Sequence, residues 1–348
     1  MPIEPIARAR QALGRTLRYA RAGLSWKVRG DTVLGYPPEE VSLELTNSCN
    51  FKCAFCPQSD PRHFDHVPRS MLAPDTAELI LTRLREGGVR TDVMHWTLDG
   101  EPFLNRSFDD ICGRAVRLGW RHFIFATNGF YCTPARLATL PRQEGVRYVL
   151  HVDFCADQAL FETHRGQAGS WDRIRRNILG LAGDEALAHI AIQLTDISSF
   201  AVDDAGALAA RFAELKRMFA GARGLTFRTR IFHNAGGHVP EMAERKKAAS
   251  RGYNLCPYPW MSLYVASNGD VVACCRDLRH KTVLGNLVSD SLPSIWNGAK
   301  YRQMRAALLA RQPDRVAACR GCDLPYDASK FAFGHLVHIA LNRFGMLR

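Results

Sequence analysis

Three cysteines stand within eight positions, in the run Cys49-Asn-Phe-Lys-Cys53-Ala-Phe-Cys56. Thiolates that close together can converge on one inorganic centre. A closed structural zinc site wants four ligands, and iron–sulfur clusters are normally held by four cysteines. With three, one iron of a four-iron cluster is left open to an exogenous ligand. The competing reading is a zinc knuckle completed by a distant histidine, His63 or His66. A second set, Cys256, Cys274, Cys275, Cys319 and Cys322, lies in the last third of the chain, and Cys112, Cys132 and Cys155 stand alone. No export signal precedes them, so a reducing compartment is expected and metal binding or catalysis is a better default than disulfides.

These residues need elements to hold them. Val41–Leu45 reads as a strand that delivers the cysteine loop, and Pro74, with Asp75 in the first turn, opens the helix that follows. Further strands are expected at Val93–Leu98, His122–Ala126, Val146–Val152, Ile190–Thr195 and Leu225–Ile231, and helices at Phe108–Leu118, Pro134–Leu140, Trp171–Leu181 and Ala205–Phe219. This alternation implies a parallel sheet, either a curved partial barrel or a doubly wound open sheet. Ligands then sit at the strands' C-terminal ends, where the cysteine loop falls. Asn234-Ala-Gly-Gly-His238 and a polar run through Ser250 separate this unit from a cysteine-rich one with a hairpin turn at Asn268-Gly269.

The chain has 348 residues, 47% hydrophobic and 23% charged, which excludes a disordered or fibrous protein. Lys and Arg number 46 against 34 Asp and Glu, a net charge of +12. Residues 1–29 hold seven basic residues and one acidic, on a helical apolar stripe from Ile6 to Leu24. Residues 330–348 add Lys330, Arg343 and Arg348 to a second stripe, so most of the excess sits at the two ends. Nucleic acid across the body is therefore disfavoured, and the basic amphipathic ends point to contact with an anionic membrane surface or to helices packed on the body. No apolar run reaches membrane-spanning length, and a cytoplasmic protein is expected, with a peripheral position at the membrane as the alternative.

The cysteine triad resembles that of the radical S-adenosylmethionine (SAM) superfamily. The resemblance extends to Phe55, which the family places against adenine; to Asp99-Gly100-Glu101-Pro102, similar to its Gly-Gly-Glu element for the methionine amino group; and to Ala126-Thr127-Asn128-Gly129 near the ribose. It extends also to His151-Val-Asp153 followed by His164-Arg165-Gly166, where the arginine holds the methionine carboxylate. Cys256-Pro-Tyr-Pro-Trp260, Asn268-Gly269, Leu284-Gly-Asn-Leu287, Ile295-Trp-Asn297 and Cys319-x2-Cys322 resemble the twitch or SPASM extensions that hold auxiliary clusters. The resemblance implies a partial (βα)6 TIM-like barrel over 41–238. An N-terminal basic helix and lead-in (1–40), an auxiliary-cluster extension (250–325) and a C-terminal amphipathic helix (326–348) complete the expected organisation.

It further implies Cys49, Cys53 and Cys56 as ligands of a SAM-binding 4Fe-4S cluster, and Phe55, Gly100, Glu101, Thr127, Asn128, Arg165 and Gln193 as SAM contacts. Cys256, Cys274, Cys319 and Cys322 would hold one auxiliary 4Fe-4S cluster. Alternation lets only one of Cys274 and Cys275 face it, and the family's spacing from Gly269 favours Cys274; a four-cysteine zinc site has the same ligand chemistry. The expected reaction is hydrogen abstraction from an unactivated C–H of a polar small molecule, sugar or aminocyclitol-like, completed as a two-electron oxidation. Epimerisation, peptide modification and a zinc-based nucleic-acid-interaction protein are the alternatives. Asp153, His151 and Cys155 are candidate base or hydrogen donor, with Cys132 a second candidate thiol and Arg230, His233 and His238 further pocket candidates. Expected partners are the substrate, with lipid-linked or peptide forms as alternatives, and an external reductant such as flavodoxin or ferredoxin.

Overall fold

A computed structural model describes residues 5–230, 232–235, 238–239 and 252–326. Its centre is one nine-stranded sheet. The strands are β1 (Glu40–Leu43), β2 (Val93–Trp96), β3 (His122–Thr127), β4 (Arg147–Phe154), β5 (Ile190–Asp196), β6 (Leu225–Thr229), β7 (Ser262–Val265), β8 (Asp270–Val272) and β9 (Val283–Asn286). They are ordered β6-β5-β4-β3-β2-β1-β7-β8-β9. β1 to β6 run parallel in sequential order. That order decides between the two expected architectures. A doubly wound sheet reverses its strand order at a switch point, whereas sequential right-handed crossovers put every helix on one face and leave the other as the interior of a partial barrel.

Alternation along β4 shows both faces. Tyr148, Leu150, Val152 and Phe154 are at most 1% exposed, and their side chains join the core under the helices Ser170–Gly183 and Phe108–Arg117. Trp96, Phe123 and Tyr148 stack across β2, β3 and β4 in the same layer. His151 and Asp153 point the other way. In register, Ala126, His151, Gln193 and Thr226 form one interior row and Asp153, Thr195 and Arg228 another. The interior is thus polar at the C-terminal ends of β4–β6.

The cysteine-rich unit does not stand apart. β7 pairs parallel with β1 over four residues, and β8 and β9 extend it as an antiparallel meander. The hairpin at Asn268-Gly269 is as expected, while β9 forms where only a Leu-Gly-Asn-Leu motif was read. Gly285 is required there, because a Cβ would come within 2.7 Å of Ile295. The N-terminal helix runs from Pro5 to Leu24, and it packs through Arg18 on Glu39 (2.8 Å) and Tyr19 on Glu40 (2.8 Å). Leu17, Leu24 and Val28 stay exposed. The helix expected over 326–348 lies, from 327 on, outside the described residues. Among those residues no helix is long and apolar enough to cross a membrane.

Candidate functional site

The loop after β1 carries Cys49, Cys53 and Cys56 as free thiols. Two donors already face one of its sulfurs: the Phe51 N–H reaches Cys49 Sγ at 3.4 Å and the Asn128 amide reaches it at 3.8 Å. Burial raises all three thiols, Cys49 up to about 12, so they become thiolates only when a cation displaces the proton. Two glycine turns clamp the loop. Gly100 has φ +72°, and a Cβ there would lie 2.2 Å from the Thr46 carbonyl oxygen; the next N–H, of Glu101, donates to Ser48 O at 2.8 Å. Gly166 has φ +65° and a Cβ would lie 2.6 Å from Lys52 O, while Ala54 donates to His164 O at 2.8 Å.

Between these clamps lie the residues expected to contact SAM. Glu101 is 1% exposed. Its Oε1 accepts from Thr127 Oγ1 (2.7 Å) and Phe103 N (3.2 Å), and its Oε2 accepts only from Asn128 N (2.7 Å), which leaves one acceptor position for an incoming cation. Arg165, 5% exposed, reaches Asp153 at 3.3 Å, but its Nε is buried with no hydrogen-bond partner. A buried guanidinium N–H without an acceptor is costly and fits a carboxylate arriving there. Phe55 packs against Phe200 (5.2 Å) and Phe232 (4.9 Å), with the Arg165 and Arg230 guanidiniums within 6 Å. Gln193 lies beside His151 in the interior row, 5% exposed.

The three catalytic candidates separate. Burial would raise the Asp153 carboxyl, but Arg230 and Arg165 beside it outweigh that and hold it below its ordinary value. It is a fixed anion that orients Arg165. Cys155 is 0% exposed, its thiol bonded to Asp157 O (3.3 Å) and pushed up to about 12 by burial. Cys132 is similarly closed in, 3.6 Å from Thr127 Oγ1. His151 and Asp153 both remain partly exposed on the interior face.

In the cysteine-rich unit, burial is the largest cause raising Cys274, followed by the neighbouring charges of Cys275, Cys319, Cys322 and Cys256; Cys256 in turn responds to Cys319 and Cys322. Those four lie together. Cys275 is the largest neighbouring charge on Cys274 and on Tyr258 and acts on Tyr264 as well; β8 ends at Val272, so both cysteines lie in the turn beyond it and the expected strand alternation does not separate them. Arg276 donates its N–H to Cys274 Sγ (3.4 Å), and its guanidinium lies 4.0 Å from Cys322 Sγ and 2.7 Å from Asp323. The zinc-knuckle reading loses its fourth ligand, because His63 is buried and bonded to Asp99 (2.7 Å) and His66 is exposed.

One feature of the site was not read from the sequence. Asp99, at a position where the family often has glycine, accepts from Gln58 Nε2 (2.7 Å) and Gly100 N (2.8 Å) and holds His63. Behind it Glu44 accepts from Asp99 N (3.1 Å), Ser267 N (3.0 Å) and Ser267 Oγ (2.7 Å), joining the cysteine loop to the β7–β8 hairpin. Burial, and then the Asp99 charge, raise Glu44 from 4.5 to about 7. The folded protein therefore holds a proton there between pH 4.5 and 7 that the unfolded chain has released, and stability falls as pH rises through that window. At about 1.4 kcal/mol per unit the loss is about 3 kcal/mol. Urea midpoints of the anaerobic protein are expected to drop between pH 5 and 7.5, and Glu44→Gln to flatten the drop; an unchanged slope in the variant would assign it elsewhere.

A family model of the radical SAM superfamily matches residues 43–182, and one of the SPASM iron–sulfur cluster-binding domain matches 256–323, together more than half of the chain. The chain belongs to the radical SAM superfamily. This radical SAM enzyme is 25% identical to mycofactocin maturase MftC of Mycolicibacterium smegmatis over 81% of its own length and 74% of the relative's. It is 20% identical to the S-adenosyl-L-methionine-dependent 2-deoxy-scyllo-inosamine dehydrogenase of Niallia circulans, over 81% of this chain and 92% of that one. The solved structure of BtrN in complex with AdoMet and 2-DOIA shares its fold, with a TM-score of 0.55 at 19% identity over 83% of this chain and 94% of that one. So does anSMEcpe with bound AdoMet, at 0.55 and 13%, over 87% and 96%.

A radical SAM domain binds a 4Fe-4S cluster and SAM, and a SPASM domain binds auxiliary iron–sulfur clusters. The residues present fit both. Cys49, Cys53 and Cys56 would supply three thiolates, with N–H donors aimed at Cys49, Glu101 and Arg165 carry an acceptor and a donor for SAM, and Cys256, Cys274, Cys319 and Cys322 would supply four ligands to an auxiliary cluster. The zinc-based nucleic-acid reading gives way to this assignment.

Proposed function

We propose that the enzyme catalyses a two-electron oxidation at an unactivated C–H of a polar small molecule, sugar or aminocyclitol-like. The observation that supports this is a cysteine-rich unit with thiols enough for one auxiliary cluster, in which Cys256, Cys274, Cys319 and Cys322 act on one another as neighbours. The 20% identity to a 2-deoxy-scyllo-inosamine dehydrogenase along 92% of that relative supports the same class. When bound at the cluster, SAM supplies a 5′-deoxyadenosyl radical able to take hydrogen from carbon, and an auxiliary cluster can accept the second electron.

The chain's own residues then have defined tasks. Arg165, backed by Asp153, holds the methionine carboxylate, and Glu101 takes the amino group at Oε2. Phe55, in its aromatic cluster with Phe200 and Phe232, excludes water beside the adenine. His151 faces the interior between Ala126 and Gln193 and would remove the alcohol proton. Cys132 and Cys155 are enclosed and bonded elsewhere, which counts against a thiol donor for epimerisation. Peptide modification is the second reading, favoured by the likeness to mycofactocin maturase MftC.

Substrates deuterated at the reacting carbon test the proposal. Deuterium should appear in 5′-deoxyadenosine and the product should be two mass units lighter than the unlabelled substrate. Solvent deuterium in a product of unchanged oxidation state, or turnover of peptides alone, would overturn it. Arg165→Lys keeps the charge but loses the second donor, and a charge-assisted hydrogen bond contributes about 1.5–3 kcal/mol. SAM binding by the anaerobic variant is expected to weaken roughly 10- to 100-fold in equilibrium dialysis; unchanged affinity would remove Arg165 from the SAM site.

A further inference from the structure

A cleft of about 120 Å³ opens between the two cysteine sets. Its walls are the immediate chain neighbours of the ligands: Pro57 follows Cys56, Arg276 lies two beyond Cys274, and Ala318 and Arg320 flank Cys319. The remaining wall comes from the loop after β6, through Ala235 and His238. The cleft thus borders residues adjacent to both cysteine sets.

Its lining is basic. Arg276, Arg279, Lys281 and Arg320 line the cleft, and among the described residues Asp277 is the one carboxylate that does. The Asp277 oxygens are already taken by the Lys281 and Thr282 N–H groups (2.7 and 3.0 Å). Arg276 is paired with Asp323 (2.7 Å) and Arg279 with Asp60 (2.5 Å), both anchored from behind. Even so, the Arg279 Nε is buried without a hydrogen-bond partner. His238, on the same wall, is fixed by Ser59 at 2.9 Å. A water needs roughly 10–15 Å³, so the space admits a compact polyatomic anion. Cationic side chains from two segments, 276–281 and Arg320, lining one small volume match a group with many acceptor oxygens.

We propose that this cleft is a phosphate subsite, and that the polar substrate carries a phosphoryl or diphosphoryl group seated among Arg279, Lys281 and Arg320. The assignment rests on the oxidation reading only for what happens next, since anion binding is measurable without turnover. Calorimetry on the anaerobically reconstituted holoenzyme with inorganic pyrophosphate as probe should show saturable, salt-sensitive binding. Lys281→Glu and Arg320→Gln should each weaken it at least tenfold at unchanged iron content. Absence of binding by the unmodified enzyme, or equal binding by iron-loaded variants, would overturn the subsite.

Because a variant can lose its cluster, acetylation of Lys281 in the unmodified enzyme is followed by mass spectrometry as well; pyrophosphate should protect it, and unaltered labelling contradicts the proposal. A nucleoside diphosphate and a lipid phosphate in micelles, each tested for displacing pyrophosphate, separate a soluble source from a lipid-linked one. Displacement by neither overturns the site as a substrate subsite. Pyrophosphate binding with no oxidation product would leave the subsite standing and remove the reaction, whereas oxidation without anion binding would do the reverse.

Discussion

Replacing Cys53 with alanine is expected to lower iron in the anaerobically purified protein from about eight to about four atoms per chain, counting four for each cluster, and to reduce 5′-deoxyadenosine formation to background. The thiol is 7% exposed within the loop that the Gly100 and Gly166 turns clamp. The iron that persists should belong to the second set, and Cys319→Ala should remove that portion while leaving the first. Loss of all iron in both variants would mean that the two sets depend on each other for folding; retention of eight would remove Cys53 as a ligand.

The second large effect belongs to a residue with no side chain. Gly100→Ala places a methyl group 2.2 Å from Thr46 O and 2.7 Å from Ser48 O, both backbone atoms, at φ +72°. A non-glycine residue in that left-handed region costs about 1–2 kcal/mol, and overpacking a closed site adds roughly 1–3 kcal/mol. The variant is expected to lose about 2–5 kcal/mol in urea unfolding and, because the displaced backbone carries Glu101 and the wall of the cysteine loop, to bind SAM poorly even where it folds. Gly145→Ala is the comparison. Gly145 also has positive φ, but nothing lies within 4 Å of its Cβ position, so only the conformational part of the penalty should remain. Equal losses in the two variants would show that packing against the cysteine loop contributes nothing.

Much of the barrel could be read before any coordinates, because a buried parallel strand is a short apolar run and six of them recur here. β2, β3, β5 and β6 all begin at the residue read from sequence, and Pro74 and Phe108 begin their helices as expected. Choosing a barrel over an open sheet needed the strand order, which no single segment encodes. The helix Gln158–Arg165 was not read as one, although Asp157 caps it at Leu160 N (2.9 Å); eight residues with no long apolar stripe look like a loop.

The two cysteine sets were visible from type and spacing, whereas the preference for Cys274 over Cys275 came from the resemblance's spacing after Gly269, and the expected alternation does not bear on it because β8 ends at Val272. The Glu44–Asp99–His63 network was not visible. A glutamate ending a strand reads as a solvated edge, and its partner Ser267 lies 223 positions away. The Asp-Gly pair at 99–100 was the available signal, since aspartate before glycine often caps a turn. Asp153 shows the opposite error: its place on the interior face was right, but only its contacts with Arg165 and Arg230 reveal an anion fixed in place rather than a base.

The most direct test is iron, sulfide and zinc per chain in the anaerobically purified enzyme, measured with 5′-deoxyadenosine released from SAM under a strong reductant. Two clusters held by Cys49, Cys53 and Cys56 and by Cys256, Cys274, Cys319 and Cys322 should give about eight iron and eight sulfide, with reductant-dependent 5′-deoxyadenosine. Stoichiometric zinc in place of iron, with no 5′-deoxyadenosine, would contradict both assignments.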